Sequence, residues 1–411
     1  MNSREPAVGL AESAMPLGTT AGVRETNLSL VLRTALAAEK DAPLSRAGVA
    51  AVTSLTRSTV SRLADELVAG QLLSEHEPPD QAGPGRPGRP LVAGHGIAAL
   101  GIQANAGYLA VRVVDVSGHV VASDRVDGNQ AGRDPGTVLG ELGSICRDVL
   151  AAVPAGVRVV GAGLALPGIV TRSSGQLLLA PNLGWQEVDV APLLALPEEL
   201  GAGLHIANEA SLAAVATARE RPGRARRYGD FVYLSGEVGI GGAVMLDGKA
   251  MIGDHGWFGE VGHICVDPHG PDCPCGSTGC LERYAGMEAI LNAADLPLDT
   301  DVAVLSDLAL SGGAATQAAL EQAGWALGVA LASAINLLDV HALVLGGHLG
   351  QLCEVLRPTL QRTLDARVIS ARWVRPSVHA APEDPAPGAT GAALTKLEEV
   401  LDRPSRWIAT A

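Results

Sequence analysis

The sequence predicts an α/β protein of two modules, a short helical one at the N-terminus and a two-lobed body behind it. Three observations carry that prediction. Apolar residues recur at helical spacing before residue 75, whereas strand-like and helix-like segments alternate with glycine punctuation after residue 93. The stretch Pro78–Pro90 is dense in proline and glycine and closes the first module. The chain has 411 residues, too many for one ordinary core, and 50 glycines, which suit the tight turns of an α/β fold better than a helical bundle.

The expected order of elements follows the chain. Residues 1–23 read as a leader, without the charged-then-apolar order of a secretory signal. Leu28, Val31, Leu32 and Ala35 form an apolar stripe of a first helix, which breaks at Lys40–Pro43. Ser45 stands where an N-cap belongs, ahead of a helix over Arg46–Val52, and a second helix runs over about Arg57–Val68. In the body, Ile97–Val114 and His119–Val121 alternate like a hairpin around Ser117-Gly118. Helices are expected at 136–152, 208–220 and 314–338, and strands at 158–165, 231–235, 242–246 and 342–345. No short-period repeat is visible. These boundaries give a leader (1–23), a winged module (24–92) and a body (93–411).

Charge bounds the partners. The net charge is −14, but residues 24–92 hold eight basic and eight acidic side chains, and residues 93–411 carry −13. A neutral module on an acidic body can still meet nucleic acid locally. No apolar stretch reads as long and unpunctuated enough to cross a bilayer, so the expectation is a cytoplasmic protein with no membrane partner and six reduced cysteines.

Residues 45–68 read SRAGVAAVTSLTRSTVSRLADELV. Ala50, Leu55, Val60, Leu63 and Leu67 fall where two short helices crossing at a tight turn need small or apolar contacts. The second helix would leave Arg57, Ser58, Thr59, Ser61 and Arg62 for phosphates or base edges in a major groove. A plain helical hairpin with solvated arginines is the competing reading, because Ser54 occupies the turn where glycine is usual. GPGRPGRPLV, residues 83–92, tips the balance. Prolines hold Arg86 and Arg89 in extended backbone that fits a narrow minor groove, and although proline-rich linkers are common, paired Arg-Pro steps directly after a helix-turn-helix are much less so.

A second signal lies at GHICVDPHGPDCPCGSTGC. His263, Cys273, Cys275 and Cys280 make a closed set of one imidazole and three thiolates, suited to structural zinc and lacking an open position for a catalytic water. Cys146, Cys265 and Cys353 stand in apolar contexts and are expected in the core.

These residues resemble the ROK family of repressors, open reading frames and sugar kinases, from about residue 24 to 400. The most specific stretch is FGEVGHICVDPHGPDCPCGSTGCLE, residues 258–282, and the N-terminal helices with their Gly-Arg-Pro steps resemble the repressor branch. The resemblance implies an actin-like (sugar kinase/RNase H-like) two-lobed body with its ligand in the cleft, and a homodimer or homotetramer. It implies that Glu260, His263 and Glu282 bind sugar hydroxyls, His263 serving metal and sugar with one ring nitrogen each. Gly168, Asn182 and Asn208 fall at further sugar positions, although turn and helix capping would equally explain the two asparagines.

The chain departs from the family's kinases in three places. Gln103, Ala104, Asn105, Ala106 and Gly107 stand where those kinases have Asp-Ile-Gly-Gly-Thr. Glu209 replaces the catalytic aspartate, one methylene longer, and could still accept a hydrogen bond from sugar. Glu237, in the second phosphate loop SGEVGIGGAV, would repel phosphate. The expectation is therefore no enzyme but a sugar-responsive repressor that binds double-stranded operator DNA and a free mono- or small saccharide. An active sugar kinase with an appended DNA module is the alternative, and control by a protein partner is a third.

Overall fold

The computed structural model describes residues 20–76, 88–171, 174–226 and 228–408. Arg86, expected in the minor groove, lies outside them. The chain divides into two units, residues 1–94 with 399–411, and residues 95–398. The sequence reading ran the body to residue 411, whereas the last segment belongs with the N-terminal unit.

In the first unit, helices α1 (Thr20–Ala37), α2 (Arg46–Thr53) and α3 (Arg57–Ala69) precede an antiparallel ribbon of β1 (Leu73–Glu75) and β2 (Leu91–Ala93). The predicted stripe of α1 is buried, with Leu28, Val31 and Leu32 fully inside, and Val60, Leu63 and Leu67 of α3 face the same core. Ser45 caps α2 by accepting from the Gly48 N–H. Thr56 caps α3 by accepting from Thr59. The turn between them needs one left-handed residue, and Ser54 supplies it at φ 59°. Near the C-terminus, α8 (Pro387–Asp402) ends against α1. The Ser29 hydroxyl donates to the Leu401 carbonyl at 2.7 Å, and Arg33 pairs with Asp402. Helix α9 (Ser405–Ile408) follows, with Ser405 bound to Glu25 and Ile408 against Gly70.

The body holds two five-stranded mixed sheets. The first contains β3 (Ile97–Ala104), β4 (Tyr108–Asp115), β5 (Val120–Asp127), β6 (Arg158–Leu166) and β7 (His205–Asn208), in the order β7-β6-β3-β4-β5. The second contains β8 (Phe231–Gly236), β9 (Ile240–Leu246), β10 (Lys249–Ala250), β11 (Ala342–Gly346) and β12 (Ser377–Ala380), in the order β10-β9-β8-β11-β12. In each sheet the first three strands pair antiparallel and the last two add in parallel. The same topology thus occurs twice, a duplication that leaves no short-period trace in the residues.

Helix α4 (Pro135–Ala151) serves the first half and α6 (Ala314–Leu338) and α7 (Cys353–Arg367) serve the second, while α5 (Glu209–Ala218) follows β7 and packs Ala213, Ala214 and Ala218 against Phe231 and Tyr233 of the second sheet. Each half has its own apolar cluster. The helix expected at 314–338 is α6, a single helix of 25 residues, and contrary to the sequence reading it is long and apolar enough to cross a bilayer by length and composition. Two thirds of its most apolar 18-residue window is buried in the second half's core, where Ala323, Leu327 and Leu331 are fully covered, so it is the central helix of that core.

Leu63 is fully buried where α3 meets α1 and α2. Its replacement by alanine should cost about 2–5 kcal/mol. Amide hydrogen exchange should then speed up across residues 20–76 and leave the sheets of the body unchanged.

Candidate functional site

The parallel strands of both sheets deliver polar residues from their carboxyl ends, where ligands bind in open α/β sheets. Gln103 and Asn105 close β3, Gly168 follows β6, Asn208 ends β7 and leads into Glu209, Glu237 follows β8, and Gly347 follows β11. A cavity of about 830 Å³ opens beside them, lined among others by Tyr108, Arg125, Glu237, Gly347 and His348.

Gln103 is almost wholly buried. Its Oε1 accepts from the Ala389 N–H at 3.1 Å, which fixes the amide so that Nε2 donates to Glu209 Oε2 at 3.3 Å. Glu209 keeps some exposure to the cleft, yet its dense surroundings push its carboxyl up to about 8, and nearby Glu237 adds to the shift. Glu237 is itself raised by burial, against the pull of Arg125. Asn105 Oδ1 accepts from the N–H groups of Gly107 and Tyr108, while its buried Nδ2 has no hydrogen-bond partner. Buried Tyr108 Oη and His348 Nδ1 are unpartnered as well. Sequence reasoning missed both. The signals were Tyr108 directly after Gly107 and His348 directly after the Gly346-Gly347 pair.

A second cluster adjoins through the glycines of the β8–β9 turn and β9. Glu282 accepts from the Ile240 N–H at 2.9 Å. A Cβ on Gly239 would lie 2.2 Å from Glu282 Oε2 and 3.1 Å from Asn182 Nδ2, so only glycine lets these two side chains converge there. A Cβ on Gly242 would collide with Val261 and the Gly259 carbonyl, which lie beside Glu260. Glu260 is half-exposed, and its carboxyl is raised by desolvation, opposed by His263 and reinforced by Glu282. Asn208 accepts from Ala210 and Ser211 as the cap of α5, and its Nδ2 donates to the Gly168 carbonyl at 2.9 Å. The capping role weighed for Asn208 is therefore real, and the same side chain also ties β7 to the Gly168 turn.

His263, Cys273, Cys275 and Cys280 present four donor atoms within 4.8 Å of one another. Cys273 Sγ lies 3.8 Å from His263 Nδ1, and Cys275 Sγ lies 3.7 Å from Cys280 Sγ. A tetrahedral ion with sulfur at about 2.3 Å needs neighbouring sulfurs about 3.8 Å apart, so the cluster fits a metal ion. Nδ1 of His263 faces the thiols, and Nε2 is 3.9 Å from Glu260. The core placement expected for the other cysteines holds for Cys146 and Cys353, which are buried. It fails for Cys265, which is exposed in an isolated bridge to Cys280.

On the helix-turn-helix, Arg57, Ser58 and Arg62 are exposed, and Thr59 is partly covered. Arg57 pairs with no acid among the described residues, whereas Arg62 pairs with Glu66 at 2.9 Å. The outward reading of Ser61 needs correction: its hydroxyl accepts from Arg46 at 2.9 Å, and Arg46 also holds Asp65 and Glu75. Arg89 is exposed and stands 4.0 Å from Glu75.

The ROK family pattern matches residues 99–399. The chain belongs to the ROK family. A putative xylose repressor of Caldicellulosiruptor sp. (strain Rt8B.4) is 26% identical over 374 residues, spanning 87% of this chain and 92% of that protein. Among solved ROK structures, a transcriptional regulator described as a homologue of the E. coli MLC protein superposes with a TM-score of 0.74 at 22% identity, covering 94% of this chain and 99% of its own. A ROK glucokinase from Streptomyces griseus, solved with glucose and AMPPNP, gives 0.59 at 24% identity over 72% of this chain and 98% of its own. At those identities the structures establish the fold, an actin-like ROK body with an N-terminal helix-turn-helix unit.

The raised carboxyl of Glu209 has a pH signature. In the unfolded chain it titrates near its ordinary 4.5, so between there and about 8 only the folded state keeps the proton. Stability should fall with rising pH across that window and level off above it. The slope is at most about 1.4 kcal/mol per pH unit, reduced because the side chain keeps some contact with water. Glu209→Gln should remove most of this slope, so thermal melts from pH 5 to 9 should show the variant gaining on the wild type up to about pH 8. Parallel curves would exclude a buried proton at Glu209.

Proposed function

We propose that this chain is a cytoplasmic sugar-responsive transcriptional repressor, a ROK protein whose former kinase cleft senses a free sugar and performs no phosphoryl transfer. The observation that carries this reading is the Gln103–Glu209 hydrogen bond. Phosphoryl transfer needs a cation-organising carboxylate and a base at this point of the cleft. An amide donor here cannot hold a cation. A carboxyl that keeps its proton at neutral pH is a poor base, and Glu237 adds negative charge where phosphate oxygens would arrive. The same groups suit a neutral polyol, since hydroxyls both donate and accept.

In this reading Glu260 and Glu282 accept sugar hydroxyl protons. One oxygen of Glu282 is held by Ile240, which leaves the other for the ligand. Asn182, Asn208, Gly168 and Glu209 line the remaining sugar positions. Structural zinc fits the three thiolates and His263 Nδ1 and holds the loop on which Glu260 and Glu282 stand, leaving His263 Nε2 for the ligand side. Arg57, Ser58, Thr59 and Arg62 meet DNA in the major groove, Arg86 and Arg89 reach the flanking minor grooves, and Ser61 acts through Arg46. A homodimer or homotetramer presents two such units to half-sites one or two helical turns apart, ~34–36 Å per turn. Sugar shifts the equilibrium only by its differential affinity for the DNA-competent and DNA-released shapes.

Two outcomes test the reading. Glu260→Ala should retain operator binding in a gel-retardation assay and lose release by sugar, tried over a panel led by xylose and including glucose and N-acetylglucosamine. Normal release would refute the cleft assignment. Arg57→Ala should weaken binding to operator and unrelated duplexes alike and lower the slope of log affinity against log salt by about one. A native chain that turns over ATP with any of these sugars would favour the kinase instead.

A further inference from the structure

Cys265 belongs to neither the core nor the metal set, and its position is unusual. It forms an antiparallel bridge with Cys280, one of the four candidate ligands. The flanking hydrogen bonds run from the Val266 N–H to the Gly279 carbonyl at 2.8 Å and from the Leu281 N–H to the Ile264 carbonyl at 2.9 Å. That pattern makes Cys265 and Cys280 a non-hydrogen-bonded pair, the kind whose Cα atoms lie about 4.5 Å apart with side chains on one face. A disulfide accepts Cα separations of about 4.4–6.8 Å, so the backbone already meets the requirement and only side-chain rotation is needed. Cys265 is exposed, whereas Cys280 is fully buried within the ligand cluster.

We infer that Cys265 and Cys280 form a peroxide-responsive disulfide that removes Cys280 from the metal set. The inference rests on the reading of His263, Cys273, Cys275 and Cys280 as metal ligands. Exposed and outside the metal set, Cys265 is open to a hydroperoxide oxidant, whereas thiolates engaged with a cation are shielded. Its thiol reacts with hydrogen peroxide to give the sulfenic acid and one water. The Cys280 thiolate then attacks the Cys265 sulfur, and the S–O bond breaks as the S–S bond forms. The departing hydroxide takes a proton and leaves as a second water. Peroxide is reduced by two electrons and the two cysteines are oxidised by two. The ligand set drops from four to three.

The consequence is local. Cys280 precedes Leu281 and Glu282, and Glu282 is fixed by its bond to Ile240. Rotating the Cys280 sulfur out of the cluster frees the segment that places this carboxylate, so oxidation would reduce sugar response without touching the DNA-binding unit.

The test uses the full chain loaded with one equivalent of zinc, alongside Cys265→Ser loaded in the same way. Both are exposed to hydrogen peroxide. Zinc release is followed with a chromogenic chelator, and disulfides are mapped by mass spectrometry after the remaining thiols are alkylated. The wild type should release zinc at least tenfold faster than the variant and carry a Cys265–Cys280 bond. Equal rates, or a bond confined to Cys273, Cys275 and Cys280, would overturn the switch while the metal site stands. A chain that takes up no zinc before peroxide would overturn the ligand assignment and the switch with it.

Discussion

The body depends on how two carboxyl groups are accommodated where the sheets end. Glu209 and Glu237 approach one another in a cleft where burial makes each hold its proton more tightly than usual, against the Gln103 amide on Glu209 and the charge of Arg125 on Glu237. Like charges in a low-dielectric site cannot both ionise cheaply, and Arg125 offsets the shift at Glu237 only in part. A triphosphate would add further negative charge to this crowding. A sugar hydroxyl would relieve it by donating to whichever oxygen is free. The chemistry available to the cleft follows from that constraint more than from the fold, which is similar to that of a ROK glucokinase.

The duplicated topology explains why so few residues suffice. Each sheet brings parallel strands to a common end, and residues distant in the chain, such as Gln103, Glu209 and Glu237, meet there without long loops. The second cluster is assembled differently, by glycines. Gly239 and Gly242 let Glu282, Asn182 and the Gly259–Val261 segment come close because a side chain at either position would occupy the same space. The cysteine-rich loop beside them has little apolar content of its own, and cross-linking through four donor atoms is what such a loop needs to hold a shape.

Much of this was legible in the residues. The His/Cys cluster that could hold a metal ion was readable because its four residues fall within eighteen positions of one another, and local spacing is what a sequence displays directly. The helix-turn-helix was readable from its buried positions, and the turn at Ser54 survived a residue that usually argues against it. The cluster proposed to bind sugar was suggested only by family resemblance, since Gly168, Asn182, Asn208, Glu260 and Glu282 spread over more than a hundred positions and no periodicity links them. The paired sheets were invisible, because a strand order constrains hydrophobic pattern and not residue identity. The return of residues 399–408 to the first unit was missed for a similar reason, since the end of α8 continues the body's helical pattern without a break. Ser61 and Cys265 were misplaced because apolar or polar character alone does not say which neighbour a side chain will find.

The central claim is that sugar in the cleft and DNA on the helix-turn-helix share one free energy. Linkage makes that claim reciprocal: if sugar weakens DNA binding, DNA must weaken sugar binding by the same factor. The direct measurement is calorimetric titration of the inducing sugar into the free protein and into its saturated operator complex. The account predicts dissociation constants that differ by about 5–150-fold, matching the loss of operator affinity caused by the sugar. Equal sugar affinities in the two states would contradict it.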